Sequence, residues 1–215
     1  MSAFNDFWST PLGTTTAIVV CLAVLGVIAG ILQSRRKLTV RVATYSSICI
    51  ALAFILGNIT LFRMPQGGSV TPCSMLFIVL AGYWFGPSVG ILAGVAEGLL
   101  GLITGPYVVH PMQLLLDYPL AFAVLGISGF FKNKRWGLQI GYTAGALARW
   151  LMSFLSGVIF FASYAGDSNP IVYSAVYNFS YILPEMVITL ILLFLPPLRN
   201  AIDAVEKQVS GKATA

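Results

Sequence analysis

The sequence predicts an all-α integral membrane protein, and three observations carry that reading. Hydrophobic residues make up 58% of the 215-residue chain and charged residues only 9%, with a mean hydropathy of +0.88, far outside the soluble range. Apolar residues gather into seven segments, at about 14–33, 40–61, 71–85, 88–104, 108–131, 138–161 and 172–195, most of them near the roughly 20 residues that a spanning helix needs. The basic residues between these segments follow the positive-inside rule. With the N-terminus outside and the C-terminus in the cytoplasm, Arg35, Arg36, Lys37, Arg41, Lys132, Lys134, Arg135, Arg199, Lys207 and Lys212 fall on the cytoplasmic side, and only Arg63 falls outside. The net charge of +5 therefore reports membrane orientation and not a nucleic-acid partner.

The first segment has no basic region before it, is followed by Arg35-Arg36-Lys37, and lacks a small-residue cleavage pattern, so it reads as a retained helix rather than a removable signal peptide. Together with its basic loop it occupies residues 1–37, and residues 38–198 form the main membrane domain. In the second segment Ala43, Ser47 and Ala51 recur every fourth residue, a smooth strip that permits close approach of another helix. The third and fourth segments are short and rich in Gly and Pro, which predicts tilted, broken or partly re-entrant helices. The fifth carries His110, Gln113 and Asp117 at helical spacing, with His110 expected as a helix entrance. Polar stripes follow in the sixth segment (Arg149, Ser153, Ser156) and the seventh (Ser174, Asn178, Tyr181, Glu185). Residues 199–215 are expected to form a short cytoplasmic tail whose helix frays. The three cysteines are scattered, with neither a disulfide framework nor metal-ligand spacing, and no metal or cofactor is expected.

Glu97, Asp117, Arg149 and Glu185 are ionisable groups inside apolar segments, where a charge costs about 2.5–3.5 kcal/mol on insertion scales and marks a site by default. Pairing of Arg149 with Glu97 or Glu185 would lower that cost. Glu97 shares a face with Gly90, Gly94 and Gly101, which allows either close packing or room for a ligand. Three carboxylates against one arginine leave the interior net negative, suited to a cationic solute. Tyr107, Tyr118, Phe161 and Tyr173 offer flat surfaces near the outer boundary, where a ring within about 6 Å of a cation contributes about 0.5–2 kcal/mol.

Four ordered motifs, 63–71 (RMPQGGSVT), 110–122 (HPMQLLLDYPLAF), 157–165 (GVIFFASYA) and 172–185 (VYSAVYNFSYILPE), resemble the thiamine-specific substrate-binding subunit, or S component, of energy-coupling-factor (ECF) vitamin transporters. The resemblance spans about residues 41–195 and implies a six-helix S-component core, to which this chain adds one N-terminal transmembrane helix. It implies a vitamin pocket lined by Tyr107, Asp117, Tyr118, Phe161, Tyr173 and Asn178, with Asp117 on the aminopyrimidine and Phe161 stacking on a ring. Glu97 joins these candidates from its own helix face. Ser153 stands where the family usually presents a histidine, and the loop of Gly67 and Gly68 lacks the tryptophan lid of some members.

The resemblance also implies that the strip of Ala43, Ser47 and Ala51 docks the ECF transmembrane coupling subunit. Two ATPase subunits would then supply the work, since the chain has no GxxxxGK[ST] phosphate loop of its own. A plasma-membrane, non-enzymatic importer subunit is the leading reading. A stand-alone proton-coupled transporter using Glu97, Asp117 or Glu185 is the alternative, and a membrane enzyme ranks third because no nucleophile–base pair or metal cluster is apparent.

Overall fold

The computed structural model describes residues 39–65 and 67–209; the expected helix within residues 1–37 lies outside the described residues. Helix α1 (Val40–Asn58) begins at Thr39, whose hydroxyl accepts the Val42 N–H at 3.3 Å, the usual N-cap arrangement. It turns Ser46, Cys49 and Ala53 inward and leaves Ala43, Ser47 and Ala51 exposed on the opposite side. A two-stranded antiparallel hairpin, β1 (Phe62–Arg63) and β2 (Ser69–Val70), follows. Its turn closes with Met64 N–H donating to Gly68 O at 2.6 Å, and Gly67 sits at φ 93°, a conformation open to glycine.

Helices α2 (Ser74–Phe85) and α3 (Pro87–Gly101) are the two short segments, joined by Gly86 at φ 97°. At 1.5 Å per residue they reach about 18 and 22 Å, less than the roughly 30 Å of a hydrocarbon core. They run as a broken pair, with Gly90 returning beside Gly82. Helix α2 is buried nearly all round, its Met75, Ile78, Val79 and Ala81 showing no exposure, and it forms the centre of the bundle between α1, α3 and the two helices that follow.

Helix α4 (Pro111–Phe131) is composite: an α turn, a π segment over Leu116–Leu120, a further α turn and a 3-10 stretch over Val124–Phe131. Pro119 lies inside the π segment. It lacks the N–H that would close the ordinary ladder, and the bonding shifts so that Ala121 N–H reaches Leu116 O, five residues back. The glycine face of α3 packs directly on this backbone: Gly90 meets Gly126, Gly94 meets Phe122 and Ala123, and Gly98 meets Tyr118 and Pro119. Close packing thus accounts for Gly90 and Gly94, whereas Gly101 lies beside the Tyr118 ring. A Cβ on Gly98 would fall 2.5 Å from Tyr118 O. Gly98→Ala is accordingly expected to destabilise the bundle by about 1–3 kcal/mol, the usual range for overpacking, read as a lower melting temperature of the detergent-purified chain.

Helices α5 (Gly137–Phe160) and α6 (Pro170–Phe194) are long spans packed side by side. Asn169 caps α6 through Ile171 N–H at 2.9 Å, with Pro170 in the first turn. The described part of the tail is helical. Helix α7 (Pro196–Val209) buries Ile202 and Val209, with Val205 packed against the same core, because these residues share one face of an amphipathic helix. Lys132 fastens this end, donating to Trp84 O at 2.7 Å and pairing with Glu206 at 3.7 Å.

Candidate functional site

A cavity of about 450 Å³ opens at the end of the bundle where the hairpin, the 102–110 connection, the π segment of α4, the end of α5 and the start of α6 meet. Its size lies within the range of about 300–1,000 Å³ typical of small-molecule sites. Tyr107, Asp117, Tyr118, Ser153, Phe161, Tyr173 and Asn178 all line it. Glu97 does not. It is only 5% exposed, its Oε1 lies 3.7 Å from where a Gly57 Cβ would stand, and its Oε2 is buried without a hydrogen-bond partner.

The π segment places Asp117 on the cavity wall. Gln113, one turn earlier and 1% exposed, donates from Nε2 to Asp117 Oδ2 at 2.7 Å and to Tyr107 O at 3.1 Å, and accepts Val109 N–H at 3.1 Å. One buried amide therefore orients the carboxylate and ties down the loop beside it. Tyr118 supports the same loop, its hydroxyl accepting Tyr107 N–H at 2.9 Å. His110 is an N-cap, its Nδ1 accepting Met112 N–H at 3.1 Å and its ring stacked 5.0 Å from Phe160.

Two groups of rings share the cavity with the carboxylate. Tyr107 stacks on Phe161 at 6.0 Å and shares a 2.6 Å hydroxyl contact with Tyr164. That hydrogen bond raises the Tyr107 phenol above its ordinary value. Along α6, Tyr173 stacks on Tyr177 at 6.0 Å and Tyr177 meets Tyr181 edge-on at 5.9 Å. The hairpin rests on this second group. Gly68 N–H donates to the Tyr177 hydroxyl at 3.3 Å, and a Cβ on Gly68 would lie 2.6 Å from the Tyr181 ring.

Asn178 is held by the protein. Its amide donates to Ser174 O at 2.8 Å and Ser153 O at 3.3 Å, while its carbonyl accepts the Tyr181 hydroxyl at 2.7 Å. A ligand contact there requires exchange of one of these bonds. Gly157, on the facing turn of α5, lets Ser174 and Asn178 approach, since a Cβ would strike the Ser174 hydroxyl.

The expected pairing of Arg149 with Glu185 is absent. Glu185 instead accepts from the Thr71 hydroxyl at 2.5 Å, the Ser74 hydroxyl at 3.1 Å and Met75 N–H at 3.0 Å. The positive N-terminal end of α2 and its orphan donors satisfy this carboxylate better than a distant cation does. Arg149 lies over the Phe122 ring at 4.1 Å, with its Nε unpartnered, and lines the cavity. Among the described residues no acid approaches it within 4.0 Å, Glu97 included. Sequence reasoning passed over Tyr177, Phe122 and the Arg63 side chain as lining groups. Tyr177, one helical turn from Tyr173, carried a signal; Phe122 and Arg63 had none that separates them from packing or surface residues.

A profile of the thiamine transporter protein family matches residues 43–203. The chain is 33% identical over 171 residues to the thiamine transporter ThiT of Bacillus subtilis, covering 73% of this chain and 88% of that protein. It is 32% identical over 143 residues to ThiT of Lacticaseibacillus paracasei, covering 58% and 70%. The solved structure of ThiT from Listeria monocytogenes superposes with a TM-score of 0.60 at 25% identity, covering 73% of this chain and 94% of that one.

Proposed function

Because the chain belongs to the thiamine transporter protein family, we propose that its cup captures thiamine with Asp117 as the anchoring charge. The protein is a multi-pass membrane protein, the thiamine-binding subunit of an ECF-type importer, and it performs no chemistry on its cargo. The observation that carries the site assignment is that one oriented carboxylate and a stacked Tyr107–Phe161 pair line a single cavity. In this reading one Asp117 oxygen accepts from the exocyclic amine of the aminopyrimidine and the other shares a proton with its ring nitrogen. The rings of Tyr107, Phe161 and Tyr173 flank the cationic thiazolium. Tyr118 supports the wall, and Asn178 and Ser153 complete it, with Ser153 reaching the ligand through water because its side chain is short. Glu97 acts from behind the lining and not by contact.

The cup faces outward when the basic ends of the helices lie in the cytoplasm. The binding unit is the bundle of residues 38–198, with residues 1–37 an added helix and 199–215 the tail. The partners are those of its family: a transmembrane coupling subunit and two ATPase subunits. Ala43, Ser47 and Ala51 form the docking strip, exposed on α1 and free of large side chains.

Ser47→Arg is expected to leave thiamine binding by the isolated chain unchanged and to abolish ATP-driven uptake in vesicles that also contain the partner subunits. The unmodified chain reconstituted alone is expected to bind thiamine without accumulating it under a pH gradient. Concentrative uptake by the chain alone would favour the proton-coupled alternative.

A further inference from the structure

At the end of the bundle opposite the cup lies a second cavity, of about 340 Å³, which the thiamine site does not use. Lys134 and Arg135 from the α4–α5 connection and Arg199 from α7 line it, against a single acid, Asp203. None of the three cations has an acid within 4.0 Å among the described residues; the nearby Glu206 is paired with Lys132. The start of α5 opens into the same space, with no side-chain cap and no acid in its first turn. Three cations against one acid leave the cleft net positive, which favours an anion.

The surroundings identify its kind. Trp136, 45% exposed, has Arg199 over its ring at 5.6 Å and Phe194 beside it at 5.7 Å. Ile140 and Phe194 continue an exposed apolar surface from the rim, at 44% and 58% exposure. A tryptophan between a charged cleft and an apolar wall marks the headgroup level of a bilayer. Basic pockets between helices on the cytoplasmic side suit phosphate headgroups. We infer that this cleft binds the phosphate headgroup of an anionic membrane lipid, its acyl chains lying along Ile140 and Phe194. The site is independent of the thiamine cup, and a lipid held across α5 and α7 would clamp the tail helix to the bundle.

The test is native mass spectrometry of the full chain with phosphatidylglycerol or phosphatidylcholine added at equal concentration. Wild type is expected to retain phosphatidylglycerol in about tenfold preference, and Lys134→Gln/Arg135→Gln/Arg199→Gln to lose most of it, since each basic residue near a charged membrane surface contributes roughly fivefold. Arg41→Gln/Lys207→Gln, which removes charge elsewhere on the same face, is expected to keep the preference. Thiamine binding by every variant reports that the fold is intact, and single Arg199→Gln, expected to show a partial loss, serves if the triple variant fails that check. Equal retention of the two lipids by wild type, or an unchanged preference in the cleft variants, overturns the proposal. So does equal loss in the Arg41/Lys207 variant, or displacement of the lipid by inorganic phosphate at the same concentration, which would make the cleft a free-phosphate site.

Discussion

Asp117→Asn is expected to lower the affinity of the isolated chain for thiamine by about 10- to 100-fold, because a buried hydrogen bond to a charged group contributes about 1.5–3 kcal/mol. The substitution preserves size and leaves an amide oxygen to accept from Gln113 Nε2, which lies 2.7 Å from the native carboxylate, so the fold and the loop should hold. Loss should follow the charge and the second acceptor. Equilibrium binding of the separate halves of the vitamin distinguishes the role assigned here: the aminopyrimidine half should lose most of its affinity for the variant, and the thiazolium half much less. A thiazolium half weakened as strongly as the pyrimidine half would instead make Asp117 a counter-ion for the ring cation.

Glu185→Ala should have the largest effect on stability, about 3 kcal/mol, because it removes the acceptor of three buried donors, and the 2.7 Å contact between the Thr71 and Ser74 hydroxyls can re-pair only one of them. Thr71, Ser74 and the Met75 N–H all converge on that carboxylate. Thr71 directly follows β2, so the same loss frees the hairpin that rests on Tyr177 and Tyr181. A fall in melting temperature is expected together with weaker thiamine binding, and Glu185→Gln, which keeps one acceptor oxygen, should recover part of both. Wild-type stability in Glu185→Ala would show that these donors find other acceptors.

Much of this was legible in the sequence because bilayer physics restricts the choices. Apolar length and the side of each basic cluster predict the spans, and the described helices fall on the expected segments. The stripe Ser174, Asn178, Tyr181 and Glu185 reads as one buried helix face and is one. What the stripe does is divided by tertiary structure: its outer members line the cup, while Glu185 belongs to the end of α2. No local pattern states that a short neighbouring helix will aim its N-terminus at that acid. The π segment was equally hidden, since Pro119 announces a broken ladder without saying how it is re-paired. The seat of the tail helix was hidden for a different reason. Its Ile202, Val205 and Val209 spacing is visible, but the bundle surface that receives that face is made only by tertiary packing.

Calorimetric titration of the detergent-purified chain with thiamine, with riboflavin as the comparison ligand, tests the central claim most directly. The cup described here should give saturable binding of one thiamine per chain, no comparable heat with riboflavin, and thiamine recovered unaltered. A folded chain that shows no saturable thiamine binding, or that binds riboflavin as well, would contradict the assignment.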